Sequence, residues 1–216
     1  MLDKEMREPL FDYLDEHFGK IRIIEEKNIL KSRADVLGIV KGAIIGFEIK
    51  SDSDTYVRLN TQVKDYDRFC DYAYLVIGKS HLLHAGEHVP EHWGIICISD
   101  EVKMIREAKL CPKVKFTDQL GLLWRNELTE ILLNNHFPKY TSKNKKEIVK
   151  FLIEKVDNDL LREQMTDCLF ERDYNIFDGA KKIVKKKSSS GKRRKRPPKP
   201  VGVTHVIMGR KRRRKK

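Results

Sequence analysis

Three charged residues stand out because their spacing could bring them together: Asp35, Glu48 and Lys50. Two apolar, β-branched runs flank the dipeptide Lys41-Gly42, and this pattern predicts a β-hairpin. If the hairpin folds about that dipeptide, Glu48 lies directly opposite Asp35 and both side chains point to one face. Lys50 is two residues further along the strand, so it joins the same face.

Two carboxylates this close repel each other, and burial penalises each charge further. A cation between them offsets both effects, and carboxylate oxygens suit Mg²⁺, which takes waters and phosphate oxygens as its remaining ligands. Such an ion can activate a water and stabilise charge on a phosphoryl group. Lys50 would orient that water or neutralise the developing negative charge. The alternative is a surface hairpin with an ordinary Glu–Lys ladder, whose charges are structural.

Hydrophobic patterns on both sides of the hairpin predict the elements that position these residues. Helical spacing predicts a first helix over 3–18 and a second over 55–70. The second helix would place Gln62 and Tyr66 one turn apart on one face. Short apolar runs predict further strands at 21–26, 72–77 and 94–98. This order of strands and helices predicts an α/β fold with a mixed central sheet.

The second half of the chain has a helical pattern followed by a basic tail. Helical spacing predicts helices at 119–133, 147–156 and 159–170. They would form a small extension, either docked on the sheet or semi-independent. We therefore expect a domain over 1–112, a helical extension over 113–180 and a disordered tail over 181–216.

The ordered set of polar residues resembles the PD-(D/E)XK nuclease superfamily. Asp35, Glu48-Ile49-Lys50 and Gln62-x-x-x-Tyr66 match its motifs, and the last is most like the RecB-like branch. Ala34 stands where the superfamily's name has a proline. Wider phrases are similar to a group of small, poorly characterised bacterial proteins assigned to this superfamily, including those at 47–52, 89–94 and 122–125. The resemblance covers residues 3–172.

The resemblance implies a restriction-endonuclease-like αβββαβ core with a divalent metal, Mg²⁺ or Mn²⁺. Asp35, Glu48 and the carbonyl of Ile49 would be metal ligands, Lys50 the catalytic lysine and Gln62 a positioning residue. Many members add an acid from the first helix or a neighbouring strand. The candidates for that acid are Glu5, Glu8, Glu25 and Glu26, and Glu26 is favoured because it ends the predicted strand before the hairpin. The alternative for each is an exposed charge.

The basic excess of the chain sits in its last residues. The formal net charge is +13, yet 18 of the 45 lysines and arginines fall in 181–216, which contains no Asp or Glu. Residues 1–180 hold 27 basic and 32 acidic residues. A block of this kind favours binding of nucleic-acid phosphates, with a solubilising tail as the alternative. The predicted contacts are Lys192, Arg193, Arg194, Lys195, Arg196, Arg210, Lys211, Arg212, Arg213 and Arg214.

The cysteines and histidines give no recognisable metal motif along the sequence. Cys70, Cys97, Cys111 and Cys168 form no CxxC pair, which predicts reduced, mostly buried thiols. Four histidines between 81 and 92 have helical spacing, but Gly86 and Pro90 interrupt any long helix, so we expect solvated loop histidines.

Hydropathy and the start of the chain bear on where the protein acts. The longest run without Asp, Glu, Lys or Arg is ten residues, whereas a helix needs about 20 apolar residues to cross a membrane. The first residues lack the apolar stretch of a secretion signal. We expect a cytosolic location, with nucleoid association in a bacterium, and no membrane partner.

The sequence therefore predicts a Mg²⁺-dependent phosphodiesterase acting on DNA, with endonuclease action as the first expectation and a homodimer as one assembly to consider. Two alternatives stay open: a nuclease-like fold that binds nucleic acid without cutting it, and an adaptor that associates with nucleic acid through its tail. RNA as the substrate and exonuclease action also stay open.

Overall fold

The computed structural model describes residues 1–174 and 204–207. The elements in chain order are α1 (Asp3–Phe18), β1 (Ile21–Ile29), β2 (Ser32–Val40), β3 (Ala43–Lys50), α2 (Leu59–Phe69), β4 (Tyr72–Gly78), α3 (Ala85–His88), β5 (Gly94–Ile98), β6 (Val102–Arg106), α4 (Phe116–Leu120), α5 (Arg125–Asn134), α6 (Lys145–Lys155), α7 (Asn158–Glu171) and β7 (Thr204–Ile207). A short 3₁₀ turn, Lys79–His81, follows β4. The predicted α/β class is confirmed.

The strands form one mixed sheet in the order β6-β5-β4-β3-β2-β1-β7. Strands β3, β4 and β5 are parallel neighbours, and the other pairs are antiparallel. Parallel strands need crossover connections, which α2 provides between β3 and β4. Strand β3 is therefore a central strand of the sheet. Its carboxyl end, where Glu48 and Lys50 lie, leads into the crossover that contains α2.

The hairpin between β2 and β3 has the predicted register. Its pairs run from Val40 opposite Ala43 to Val36 opposite Phe47. Gly42 has φ +77°, a left-handed conformation that the two-residue turn requires and that glycine adopts without strain. Continuing this register places Asp35 across from Glu48.

Both faces of the sheet are buried, which explains the continuous apolar runs of its central strands. On one face α1 contributes Met6, Leu10 and Leu14 to a core with side chains from β1 to β5. On the other face α2 and the helices after β6 share a single larger core with the alternate strand residues. Strands covered on both sides need no polar face, so polar residues on them are conspicuous.

The helical extension is docked on the sheet rather than separate from it. The backbone N–H of Gly42 donates to Thr166 Oγ1 at 3.0 Å, which joins the hairpin turn to α7. Arg162 on α7 pairs with Asp71, just before β4, at 2.6 Å. Of the two arrangements left open by the sequence, the docked one is correct.

The expectation of one helix over 119–133 is wrong, because α4 and α5 are separate. The backbone of Trp124 is extended, with φ −78° and ψ 165°, and it caps the start of α5. Glu127 Oε2 accepts the Trp124 N–H at 2.5 Å. An apolar stripe that spans a loop gives the same spacing as one continuous helix, and so the break was not visible in the pattern.

Two strands were not predicted. Strand β6 alternates half-buried and exposed residues along the sheet edge, a period-two signal that the short segment shows only weakly. Strand β7 pairs with β1 inside the segment predicted to be a disordered tail. The remaining tail residues, including all ten predicted phosphate contacts, lie outside the described residues. Among the helices that the structure describes, none is long and apolar enough to cross a bilayer.

Candidate functional site

Glu48 is the centre of the polar site, and its side chain is fully buried. Its Oε1 accepts from Lys50 Nζ at 2.5 Å and from Gln62 Nε2 at 2.5 Å. Its Oε2 accepts from the Tyr66 hydroxyl at 3.0 Å. The strand period brings Lys50 to Glu48, and α2 supplies the other two donors from one face, one turn apart.

Asp35 reaches the same site from β2. Its Oδ2 accepts from the backbone N–H of Ile49 at 2.9 Å, the residue between Glu48 and Lys50. The Asp35 N–H in turn donates to the Tyr66 hydroxyl at 3.2 Å. The structure therefore brings together Asp35, Glu48, Lys50 and Gln62, as the sequence predicted. Tyr66, which the sequence placed on the same helix face as Gln62, also joins the site and contacts both strands.

The close approach of α2 to β3 depends on Gly46. A Cβ at this position would lie 2.5 Å from the Tyr66 ring, a contact that real side chains do not make. With no side chain at Gly46, the fully buried Tyr66 ring lies directly against the strand. Its hydroxyl then reaches Glu48 two residues further along β3.

Burial sets the protonation of two groups in the site. It raises the pKa of Asp35 to about 7, and the negative charge of Glu48 adds to this effect, while the Ile49 N–H and Lys50 oppose it. Burial, with the nearby charge of Glu48, also raises the pKa of Tyr66 well above its ordinary value. Tyr66 therefore stays a neutral hydrogen-bond donor, and the negative charge that Asp35 gains on ionisation is costly in this environment.

The site opens into a cleft of about 970 Å³. Basic residues at its wall outnumber the acids that face it. The basic residues are Lys4, Lys31, Arg33, Lys50 and Arg58, and the acidic ones are Asp3, Asp35, Glu48 and Asp54. A buried acidic centre with a basic rim suits a ligand that carries negative charge and also binds a cation.

Comparison with known proteins places this chain in a family. A family model described as bacteriophage P4 protein cII matches residues 4–190. The chain belongs to the bacteriophage P4 cII family. Protein cII of Enterobacteria phage P4 is 26% identical over 136 residues, which are 61% of this chain and 51% of that protein. The chain thus spans about half the length of the curated relative that it matches.

Two solved structures also resemble this cII-family chain in part. SPO1766, a protein of unknown function from Silicibacter pomeroyi, is 23% identical with a TM-score of 0.37. The match covers 45% of this chain and 64% of that one. SfsA of Pyrococcus furiosus, solved in complex with Ca²⁺, is 20% identical with a TM-score of 0.32, covering 53% and 66%.

Glu26, the favoured additional acid of this cII-family protein, does not line the cleft. Its carboxylate pairs with Arg7 at 2.7 Å and with Arg33 at 2.7 Å. Arg7 also pairs with Glu25 at 2.8 Å, so these acids serve a network between α1 and β1. Glu26 has φ +55°, which breaks the regular pairing of β1 at this point.

Asp3 is the first-helix acid that does line the cleft, and it was not among the four candidates from the sequence. Its negative charge contributes to the raised pKa of Asp35. It pairs with Arg7 at 2.7 Å through the i,i+4 spacing of α1. The sequence feature that could have identified Asp3 as an additional acid is its position in the first turn of the helix. Glu5 instead caps that helix, since Glu5 Oε2 accepts the Leu2 N–H at 2.7 Å.

The donor set of this cII-family site fits a divalent cation. Two carboxylates meet here with one lysine, so the three groups together carry one uncompensated negative charge when both acids are ionised. The raised pKa of Asp35 shows that this charge is unfavourable as the site stands. The negatively charged ligand atoms are all carboxylate oxygens, which Mg²⁺ and Mn²⁺ prefer.

Proposed function

We propose that this protein is a Mg²⁺- or Mn²⁺-dependent nuclease that hydrolyses phosphodiester bonds of DNA, with a PD-(D/E)XK-type core. The observation that carries the proposal is the convergence of Asp35, Glu48 and Lys50 at one end of a hairpin, inside a cleft with a basic rim. The order α1-β1-β2-β3-α2-β4 agrees with the core that the resemblance implies.

Each residue of the site has a distinct task in this proposal. The carboxylates of Asp35 and Glu48, with the carbonyl of Ile49, would hold the cation. When bound, the cation would supply an activated water and stabilise charge on the phosphate. The Lys50 Nζ would donate a hydrogen bond to the reacting phosphate group and so stabilise the negative charge that develops there. Gln62 and Tyr66 keep the Glu48 carboxylate in one orientation.

The basic residues would bind the nucleic-acid backbone. Lys4, Lys31, Arg33 and Arg58 line the cleft around the carboxylates and can neutralise phosphates on either side of the scissile bond. The tail adds a sequence-independent attraction that raises the local concentration of nucleic acid. DNA is our first expectation for the substrate, and RNA is its direct competitor.

A second candidate is a nuclease-like protein that binds nucleic acid without cutting it. One observation favours it: Lys50 and Gln62 both donate to Glu48 Oε1 at 2.5 Å, so this carboxylate is already well satisfied without a cation. A buried carboxylate with a lysine and two neutral donors can be a purely structural network. Both candidates predict nucleic-acid binding, and only cleavage separates them.

Parallel binding and cleavage assays distinguish the two. Full-length protein is incubated with supercoiled plasmid, linear duplex, single-stranded DNA and RNA, in Mg²⁺, Mn²⁺, Ca²⁺ or EDTA. The nuclease proposal predicts cleavage of DNA in Mg²⁺ or Mn²⁺ and binding without cleavage in EDTA. Binding of all substrates with no cleavage in any metal would establish the second candidate. Cleavage of RNA alone would correct the substrate.

A further inference from the structure

A second group of metal-ligating side chains lies behind the candidate active site. Asp67 on α2, His92 before β5 and Cys111 after β6 each offer a ligand atom, and these atoms all lie within 4.8 Å of one another. We propose that these three residues form a zinc site that is separate from the cleft. The residues are far apart in sequence, and the fold alone brings them together.

Asp67 is the strongest reason for a cation at this place. Its side chain is buried, yet within the described residues its ion-pair partner is the imidazole of His92, at 2.8 Å from Oδ1. The nearby buried carboxylate of Asp71 has a permanent cation instead, the guanidinium of Arg162 at 2.6 Å. A buried carboxylate without a permanent positive charge is costly, and a bound metal would remove that cost.

The ligands are held in place by neighbouring groups. The buried Trp93 indole N–H donates to Asp67 Oδ1 at 2.7 Å, which fixes the carboxylate in the way that outer hydrogen bonds orient metal ligands. The His92 carbonyl accepts from the Lys109 N–H at 2.8 Å, and the Cys111 N–H donates to the Asp71 carbonyl at 2.8 Å. Both loops are therefore pinned by backbone bonds at the ligand positions.

The donor types select zinc among the common metals. One nitrogen, one sulfur and one carboxylate oxygen suit Zn²⁺, whereas Mg²⁺ and Ca²⁺ take oxygen ligands almost exclusively. Tetrahedral Zn²⁺ separates such donor atoms by about 3.4–3.7 Å, so small side-chain adjustments would suffice. The His92 side chain is 19% exposed, which gives a fourth position access to water.

This site does not depend on the proposed nuclease activity. Among the described residues that line the cleft there is no cysteine and no histidine, so the two sites differ in chemistry. A metal on Asp67, His92 and Cys111 would join α2 to two loops and stabilise the region behind Tyr66, whose ring lies 5.4 Å from that of Trp93. The metal would thus act as a structural clip.

Cobalt titration of the full-length protein tests the proposal. Co²⁺ replaces Zn²⁺ in such sites, and a bound thiolate gives a charge-transfer band in the near ultraviolet that an oxygen-ligand site cannot give. The proposal predicts one equivalent of Co²⁺ with this band, displaced by Zn²⁺. Glu48→Gln, which changes a residue of the cleft and leaves all three zinc ligands in place, should keep the band.

The cysteine variants assign the band to one residue. Cys111→Ser should abolish the charge-transfer band and weaken Zn²⁺ binding by at least about 10-fold. Cys168 is a half-buried thiol on α7, outside the proposed site, so Cys168→Ser should behave as wild type. Zinc should raise the melting temperature of wild type and Cys168→Ser by more than that of Cys111→Ser. Absence of the band in the wild type, or its persistence in Cys111→Ser, would overturn the proposal and leave an ordinary Asp–His pair.

Discussion

The position of Lys50 separates its role from that of the metal ligands. Its Nζ donates to Glu48 Oε1 at 2.5 Å from inside the cleft, but it offers no lone pair to a cation. Lys50→Met should therefore bind Mn²⁺ at least as tightly as the wild type and lose about 100–1,000-fold in cleavage rate. Calorimetry with Mn²⁺ and plasmid cleavage measure the two effects.

A lysine outside the site provides the control for that variant. Lys103 lies on β6 with its side chain 65% exposed, paired with Glu101 at 3.3 Å. Lys103→Met should keep both metal affinity and rate. A loss of Mn²⁺ binding in Lys50→Met, or an unchanged cleavage rate, would contradict the role assigned to Lys50.

Asp35 gives the metal-free protein a pH-dependent stability. Its pKa is about 7 in the folded state against an ordinary value of 3.8. At a pH between these two values, Asp35 is mostly protonated in the folded state and mostly ionised in the unfolded state. The stability contributed by this group therefore falls as the pH rises through that interval. Asp35→Asn removes the titration, and in EDTA it should raise the melting temperature above that of wild type at about pH 8 but not at about pH 4.

The pH dependence of the difference is the decisive feature for Asp35. Asparagine keeps an oxygen that can accept the Ile49 N–H, so the hydrogen bond survives the change. A gain of equal size at both pH values would show that charge is not the cause. A loss at pH 8 would mean that the ionised carboxylate stabilises the metal-free fold.

Between secondary-structure elements, a buried ion pair joins the end of α7 to α5. The Arg172 guanidinium binds Glu127 through two nitrogens, with Nε to Oε1 at 2.6 Å, and both side chains are buried. Arg172→Met should destabilise the protein by about 3–5 kcal/mol, because it leaves the buried Glu127 charge without its ion-pair partner. Urea unfolding followed by circular dichroism measures the change.

An exposed pair on the same helix is the matched comparison. Lys41 and Glu163 join the hairpin turn to α7 at 3.3 Å, with side chains 73% and 50% exposed. Lys41→Met should change the free energy of unfolding by no more than about 1 kcal/mol. Equal effects of the two variants would show that burial is not what makes the Arg172 pair important.

The hairpin and its site were predictable because local rules agree there. The turn at Lys41-Gly42 fixed the register, the strand period fixed the shared face, and the helical period placed Gln62 beside Tyr66. Each of these relations spans fewer than about 30 residues and depends on one backbone geometry at a time. The identity of the additional acid beside the site was harder to predict from the sequence, since it depends on how α1 lies across the sheet.

Long-range contacts account for what the sequence did not show. His92 was expected to be solvated, but the fold sets it beside Asp67 and Cys111. Glu26 was chosen for its place at the end of a predicted strand, yet it binds Arg7 and Arg33. In both cases the partner comes from another element, and neither spacing nor hydropathy carries that information.

Over the full chain, the uneven distribution of charge predicts how salt affects binding. Residues 1–180 carry a small excess of acids and the tail carries the basic excess. Replacing Arg210, Lys211, Arg212, Arg213 and Arg214 with Gln should weaken binding of any duplex. It should also reduce the slope of log affinity against log salt by about 0.9 for each phosphate that the protein no longer neutralises. Fluorescence anisotropy over a range of NaCl concentrations measures both.

The control variant for the tail keeps its charge and changes only the side chains. The four arginines of this cluster are replaced with Lys and Lys211 is kept, which leaves five positive charges, so the slope should match that of wild type. These substitutions leave strand β7 intact, which a truncation would remove. A slope unaffected by the Gln replacements would show that this cluster does not contact the phosphate backbone.

Glu48 and its neighbours are proposed to form a metal-dependent hydrolytic site, and one comparison of rates tests this. The initial rate of plasmid nicking in Mg²⁺ is measured for wild type and Glu48→Gln, purified in parallel, with duplex affinity measured in EDTA. We predict nicking by the wild type that EDTA abolishes, a rate at least about 100-fold lower for Glu48→Gln, and equal affinities in EDTA. Equal nicking rates for the two proteins, or no nicking by the wild type in Mg²⁺ or Mn²⁺, would contradict the proposed function.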